Sequence, residues 1–387
     1  MSNVSSSNSQ KANVPKLRFP EFTDEWESTY LDKLLRFQNG INTSSDKYGS
    51  GIKFISVMDI LNNSYITYEN INGLIDITDD TLHNFSVNYG DILFQRSSET
   101  IEDVGKSNVY LDHRIATFGG FVIRGRKISD YDPLFLKYLL DSPIMRKHII
   151  KLGQGAQHFN IGQENLKSIK LSMPKITEQE KIGSLFKLLD KKIEYQKEII
   201  NVFKSYKRGL LIHIFSEKND WKKSALKDIA EIYQPKTISS EDLIAEGRYP
   251  VYGANGMIGH YTEYNHENEQ IAICCRGASC GTVNYIPAKS WITGNAMVIN
   301  TDNYNVDKKF LYYQLMSNDL SYMISGSGQP QIVKKPCELH QIFLPDLDKQ
   351  KYIRNILDSV ELLLNNKEKL LNQLLQIKNA LLQKMFI

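Results

Sequence analysis

The sequence predicts an α+β chain in which two mixed α/β globular domains are separated by two long antiparallel coiled-coil helices, the whole forming a pseudo-two-fold internal repeat. Three observations predict it. A helix-patterned segment after Pro174 returns after Pro345: at a shift of 171 (176 to 347), Ile176, Gln179, Ile182, Leu185, Leu189, Ile193, Leu210, Leu211 and Phe215 fall on Leu347, Gln350, Ile353, Ile356, Val360, Leu364, Leu381, Leu382 and Phe386. The repeat extends upstream, where Trp26-Glu27-Ser28-Thr29-Tyr30-Leu31 matches Trp221-Lys222-Lys223-Ser224-Ala225-Leu226 and Phe135–Leu140 matches Phe310–Leu315. Between these helices, short β-branched and aromatic runs alternate with Gly and Asn, which are strand and turn signals. The shift falls from 195 (26 to 221) to 171, so the second unit is the first with roughly two dozen residues removed from its globular part.

Taken in order, residues 1–13 are Ser/Asn-rich with no apolar core and predict a flexible polar tail, with no secretory leader. Val14 to Phe22 reads as an ordered strap leading to Trp26. The first globular domain spans 14–174, with strands expected at Ile52–Val57, Tyr65–Tyr68, Asp91–Phe94 and Phe121–Ile123, then a helix over Asp132–Lys151 that places Pro133 in its first turn. A central helix follows over 175–217. The second globular domain, 218–345, repeats the scheme with strands at Ile271–Cys275 and Met297–Ile299 and a helix near Val306–Ile324. The last helix occupies 346–387. Arg96-Ser97-Ser98 and Arg276-Gly277-Ala278 follow matching strands in the two halves.

Both long helices open on a start signal. Thr177-Glu178-Gln179-Glu180 has the capping-box form, and Asp348 holds the place of Thr177 in the repeat. Downstream, Ile182, Leu185, Leu189, Ile193, Ile200, Phe203, Leu210 and Ile214 advance in steps of three, four or seven, as do Ile353, Ile356, Val360, Leu363, Leu370, Leu374, Leu381 and Met385. That spacing predicts a coiled-coil seam. A helix from Glu178 to Phe215 is about 57 Å long at 1.5 Å per residue, more than the core of one small domain needs. A single such segment would read as a plain dimerisation zipper. Two matched copies in one chain favour an intramolecular antiparallel pair.

Composition bounds the function. The chain has 387 residues, 41% hydrophobic and 24% charged, the balance of an ordinary globular protein, and no apolar run approaches the roughly 20 residues that span a bilayer. A cytoplasmic protein without membrane partners is expected. Four cysteines, Cys274, Cys275, Cys280 and Cys337, lack paired metal-ligand spacing and read as reduced thiols, so no metal is expected. A net charge of +3 is modest for a protein gripping DNA alone. No phosphate-binding glycine loop, zinc-protease helix, nucleophile elbow or dinucleotide fingerprint occurs, and neither does an Asn-Pro-Pro-aromatic or Asp-Pro-Pro-aromatic run of the kind that surrounds a target amine. No catalytic residue is therefore assigned.

In sum, the sequence offers two unlike globular domains with polar, aromatic-rich loops on matched rigid helices, an arrangement suited to reading two pieces of one long polymer. At this point the chain resembles the specificity subunit of type I DNA restriction-modification systems. The resemblance rests on Pro15-Lys16-Leu17-Arg18-Phe19-Pro20-Glu21-Phe22 before Trp26, the Gly-x-Gly loops at Gly153 and Gly326, the Pro-x-x-x-x-Gln helix starts at Pro174 and Pro345, and the duplicated helices, in that order over nearly the whole chain. It implies that the two globular domains are target-recognition domains, each reading half of a bipartite, asymmetric site on double-stranded DNA. It implies that the helices set the spacer and bind two methyltransferase subunits, and that up to two restriction subunits join. Cofactors would then sit on partners: S-adenosylmethionine on the methyltransferase, ATP and Mg on the restriction subunit, none on this chain.

Candidate DNA-reading residues are Arg96, Ser97, Ser98, Lys106, His113, Arg114, Gln154, Gln157, His158 and Asn160 in the first domain. In the second they are Tyr252, Asn255, Arg276, Ser279, Asn295, Gln329, Gln331 and Lys334. Arg, Lys, Asn and Gln suit base edges, and Ser or Lys suits phosphate. Each has a plainer reading: Arg96 could pair with a local carboxylate, the glutamines could satisfy loop backbone, and the tyrosines could be ordinary strand residues. Leu185, Leu189, Ile193, Phe203 and Leu210, with Ile356, Val360, Leu364, Leu374 and Leu381, are the candidate helix-pairing or partner-docking residues. Two other functions fit less of the sequence: a coiled-coil adaptor without DNA specificity, which would not need two large divergent domains, and a standalone DNA-modifying enzyme with a degenerate site, which would transfer methyl groups unaided.

Overall fold

The computed structural model describes residues 13–42, 44–155, 157–216, 220–253, 256–326 and 328–387. The expected tail lies outside the described residues except for Asn13, whose carbonyl accepts from Trp26 N at 2.9 Å. The chain divides into two compact units. One runs to Lys197 and includes Leu370–Ile387, and the other is Glu198–Lys369. Each unit therefore contains one globular part and a half of each long helix.

In the first unit a four-stranded antiparallel sheet has the order Leu35–Asn39, Val122–Lys127, Ile92–Gln95, Ser107–Val109. A three-stranded sheet joins Gly73–Ile75, Tyr48–Ile55 and Thr117–Phe118, the last pair parallel. Glu27–Tyr30 pairs with Lys170–Met173, closing the ends of the globular part on each other. The second unit repeats all three features. Its four-stranded sheet is Glu231–Tyr233, Ala296–Asn300, Gln270–Cys274, Val283–Ile286, its three-stranded sheet is Gly256–Tyr261, Tyr249–Gly253, Trp291–Ile292, and Lys222–Ala225 pairs with Gln341–Leu344.

Local chemistry moves several expected boundaries. Tyr65–Tyr68 is a turn with a single bridge at Ile66, because the Asn70 side chain accepts from Thr67 N and donates to Tyr65 O. The expected helix over Asp132–Lys151 is two helices, Pro133–Asp141 and Pro143–Leu152: Pro143 disfavours helical backbone at Ser142, whose side chain then caps the second helix through Met145 N. In the second unit the helix ends at Ser317, short of Ile324.

The long helices are Ile176–Ser216 and Leu347–Lys384, each starting a residue before the expected cap. Asp346, not Asp348, caps the second, accepting from Lys349 N at 2.9 Å. Thr177 lies inside its helix, and Glu178 is held by Arg18 through two bonds of 2.7 Å, so the strap serves where a capping box was expected. The strap also reaches the other helix in this unit, Leu17 N donating to Lys384 O at 2.9 Å.

Within each unit the two helix halves run antiparallel. Of the candidate pairing residues, Ile193, Val360, Leu364 and Leu374 are buried, and Leu185, Leu189, Phe203, Leu210, Ile356 and Leu381 are half-buried. The seam drifts, so Phe186, Leu211, Leu357 and Leu382 carry the deeper burial, while Leu363 and Leu370 are exposed. An α-helix advances 3.6 residues per turn and the pattern only 3.5, which moves the buried stripe across neighbouring positions.

Each globular part grips its helices in the same way. Gln179 accepts from Asp132 N and donates to Pro174 O, and Gln350 accepts from Asp307 N and donates to Pro345 O. Trp26, Phe135 and Phe386 form an aromatic trio at 5.6–6.4 Å, and Trp221, Phe310 and Phe215 form the matching trio at 5.6–6.0 Å.

Candidate nucleic-acid interface

In the first unit the strand Ile92–Gln95 delivers Arg96 to the end of its sheet, where Arg96 N donates to Phe121 O at 2.9 Å and Ile161 N donates to Arg96 O at 3.0 Å. Ser97–Ser98 then pairs with Phe159–Asn160, with Ser97 opposite Asn160 and their side chains bonded at 2.5 Å. Gln154 and Asn160 exchange backbone bonds of 2.9 and 2.8 Å, closing a loop that Gly155 can enter at φ +132° because it lacks a Cβ. The fold thus joins two segments 63 residues apart, and leaves Gln154, Gln157, His158 and Asn160 exposed beside Arg96.

The remaining expected residues of this unit divide. Ser98 is buried and accepts from Thr100 N, so it supports the loop. Lys106 pairs with Asp103 at 2.5 Å and holds that carboxyl below its usual range. Arg114 belongs to a different locus: it binds Asp112 at 2.9 Å and Glu69 at 2.6 Å and lies 4.4 Å over the Tyr68 ring. Arg114 holds the Asp112 carboxyl well below the ordinary range. His113 is exposed and stacks on Tyr89 at 4.9 Å.

The second unit rebuilds the same corner with other side chains. Cys275 N donates to Asn295 O at 3.1 Å and Ile332 N to Cys275 O at 3.0 Å, the two bonds made by Arg96 in the first unit. Arg276 bridges to Gln331, and Ile324–Ser325 pairs with Gln331–Ile332. The structural partner of Arg276 is therefore Ser97, not Arg96 as the sequence match suggests, and the partner of Asn160 is Gln331. Arg276, Asn295, Gln329 and Gln331 are exposed around this corner. Lys334 is exposed and pairs with Glu338 at 3.5 Å.

Ser279 is half-buried with its Oγ 3.2 Å from Cys274 Sγ, a position that supports the turn. Tyr252 packs against the cluster of Ala272, Ile286, Ile292, Ala296 and Val298, as an ordinary strand residue does. Asn255 lies outside the described residues. Cys274, Cys275 and Cys337 are buried free thiols and Cys280 is partly so; burial pushes the Cys337 thiol up to about 12.

One residue at the corner escapes the sequence reading. Phe121 makes the backbone bond that Asn295 makes in the second unit, and it is 70% exposed. The available signal is the match of Gly119-Gly120-Phe121-Val122 to Thr293-Gly294-Asn295-Ala296 at a shift of 174 (121 to 295), weak because only the second glycine is shared.

These features define a class: tandem α+β modules of one plan, each clasping antiparallel halves of two long helices, with unlike side chains at equivalent tips. Comparison with known proteins places the chain within it. The profile of the type I restriction modification DNA specificity domain matches residues 23–205 and 218–376, and the chain belongs to that family. It is 24% identical to a putative type I restriction enzyme specificity subunit of Methanocaldococcus jannaschii, over 96% of this chain and 95% of that one. It is 27% identical to the EcoprrI specificity subunit of Escherichia coli, over 42% of this chain and 41% of that one. Its fold matches the crystal structure of a type I restriction-modification S subunit from M. genitalium with a TM-score of 0.65 and 19% identity, covering 97% and 99% of the two chains. Among the described residues no helix is long and apolar enough to cross a membrane.

Proposed function

We propose that the chain is the DNA-reading and scaffolding subunit of a type I restriction-modification complex, and that each unit reads one half of a bipartite, asymmetric site on double-stranded DNA. The observation that carries this reading is the contrast between tips and supports. Ser97, Asn160 and Phe121 stand where Arg276, Gln331 and Asn295 stand, while the Gln179 and Gln350 clamps and the two aromatic trios repeat unchanged. Unlike tips suit unlike half-sites. Like supports suit two identical partners, which require two similar docking surfaces.

On this reading the long helices dock two methyltransferase subunits, and up to two restriction subunits join them. S-adenosylmethionine is held by the former and ATP and Mg by the latter, so this chain makes and breaks no bonds. The family's role and the full-length relatives support the assignment. Partner subunits closing around the duplex would also supply the positive charge that a net +3 lacks.

The test is a map of methylated bases genome-wide with and without this chain, followed by exchange of residues 30–150 for the equivalent region of a relative. The expected outcome is a modified motif that depends on the chain, with one half changed by the exchange and the other intact. Loss of both halves, or an unaltered map, overturns the reading.

A further inference from the structure

Phe121 sits at the tip of a turn that the sequence builds to present it. After the short strand Thr117–Phe118, Val122 N donates to Gly119 O at 2.8 Å, so Gly120 and Phe121 form the two corners. A Cβ on Gly120 would displace the end of the Asn42 side chain, and the turn leaves Phe121 as the projecting residue. In the second unit Ala296 N donates to Thr293 O at 3.1 Å, making the same turn with Asn295 at the tip. One position of the repeat thus carries an amide in one unit and a bare phenyl ring in the other.

The ring borders an apolar cleft of about 350 Å³ whose other walls include Ile41, Tyr48, Phe54, Val57 and Met58. Tyr48 and Phe54 meet edge to face at 5.3 Å, and Met58 is 61% exposed. The cleft is flanked by charge, since Arg96 Nη1 donates to Gly120 O at 3.3 Å, and Arg96 is followed by the Ser97–Asn160 pair. A polyanion held at Arg96 therefore lies beside a carbon-lined surface.

The occupant follows from what a duplex can offer such a surface. Phosphates and the donor and acceptor edges of bases are polar, and among the base edges of the major groove the apolar feature is the C5-methyl group of thymine. We propose that Phe121, with Met58 at the rim of the cleft, determines specificity for a thymine through its methyl group in the half-site read by the first unit. This rests on the reading of that unit as a DNA reader. It also accounts for Asn295 at the equivalent tip, where an amide suits a hydrogen-bonding base edge and the two half-sites differ.

The experiment uses the full chain with the subunits that co-purify with it. The bound duplex is selected from a random pool, its first-unit half is assigned by the residue 30–150 exchange, and each thymine there is replaced singly by uracil, which pairs identically but lacks the methyl. At one position uracil should weaken binding about five-fold or more for the wild-type chain. F121S and F121N should bind the thymine duplex more weakly and respond to the same replacement by less than about two-fold, with M58S intermediate. Unchanged melting of the variants, expected for exposed side chains, shows that they fold. A half-site without thymine, tolerance of uracil at every position, or equal uracil sensitivity in F121S overturns the assignment while leaving the DNA-reading function standing. Failure to select any preferred duplex overturns both.

Discussion

Asp190 and Lys378 form an ion pair at 2.6 Å, and the repeat places the same pair again, with the helices exchanged, as Glu361 and Lys207. The positions are equivalent at the shift of 171 (190 to 361, 207 to 378). An in-register parallel pairing of the two helices would instead set Asp190 against Glu361 and Lys207 against Lys378. The charge pattern thus selects antiparallel pairing and its register, as polar residues do in coiled coils.

Asp190 is buried and also accepts from the Tyr138 hydroxyl at 2.8 Å. Asp190→Ala strands a buried hydroxyl and a lysine, and should cost about 3 kcal/mol. Glu368→Ala, which breaks an exposed pair with Lys204, should cost less than about 1 kcal/mol. Denaturant unfolding of the two variants checks the contrast, and equal losses would refute the assigned hierarchy.

The aromatic trios predict a second effect. Phe386 is 1% exposed and Phe215 5%, and Phe→Ala at either leaves a cavity costing about 3–5 kcal/mol. Limited proteolysis should cut the F386A chain first near its C-terminal helix end and the F215A chain near residues 210–220.

Because Phe215 and Phe386 are equivalent, a chain ending just after Ser216 retains the Trp26–Phe135 cradle, lacks Phe386, and carries Phe215 free. Such a half chain should form a dimer in which each copy fills the other's cradle, with Lys207 of one reaching Asp190 of the next. Light scattering should report a dimer that Phe215→Ala dissociates. A monomeric half chain would count against the equivalence.

His266 gives a pH dependence to the second unit. Burial lowers its pKa below the ordinary value of about 6.5, and its ring is bonded to Tyr233 at 2.9 Å and Asn265 at 2.6 Å. The unfolded chain therefore binds this proton at a higher pH than the folded one. Stability should be full above about pH 6.5 and fall as the pH drops below it, by at most about 1.4 kcal/mol per unit, until the folded imidazole protonates. His266→Gln should flatten that slope in melting curves taken from pH 7 to 5; an unaltered slope would show that another group is responsible.

Much of this architecture is legible in the sequence because its signals are local or repeated. The helix pairing follows from apolar spacing and from the shift of 171, and the two helix entries follow from Pro-x-x-x-x-Gln. The candidate DNA-reading corner is less legible. Arg114 reads as a free cation until Glu69, 45 residues away, is seen bonded to it. The match of Arg96 to Arg276 fails by one residue, because backbone bonds to Phe121 and Asn295, not side-chain identity, fix the correspondence. Tyr65–Tyr68 has strand-forming residues and only a single bridge at Ile66, since the Asn70 side chain takes Tyr65 O and Thr67 N and the Asp112 carboxylate accepts from Tyr68 N.

By itself the sequence determined the repeat, the two helices with their mutual orientation, and the family, since periodicity and duplication are properties of the chain read in one dimension. Tertiary structure alone decided which residues meet at each tip: Ser97 with Asn160, Arg276 with Gln331, Phe121 beside the cleft of Tyr48 and Phe54. Those meetings are made by hydrogen bonds between strands dozens of residues apart, and such pairings are set by the packing of the sheets beneath them.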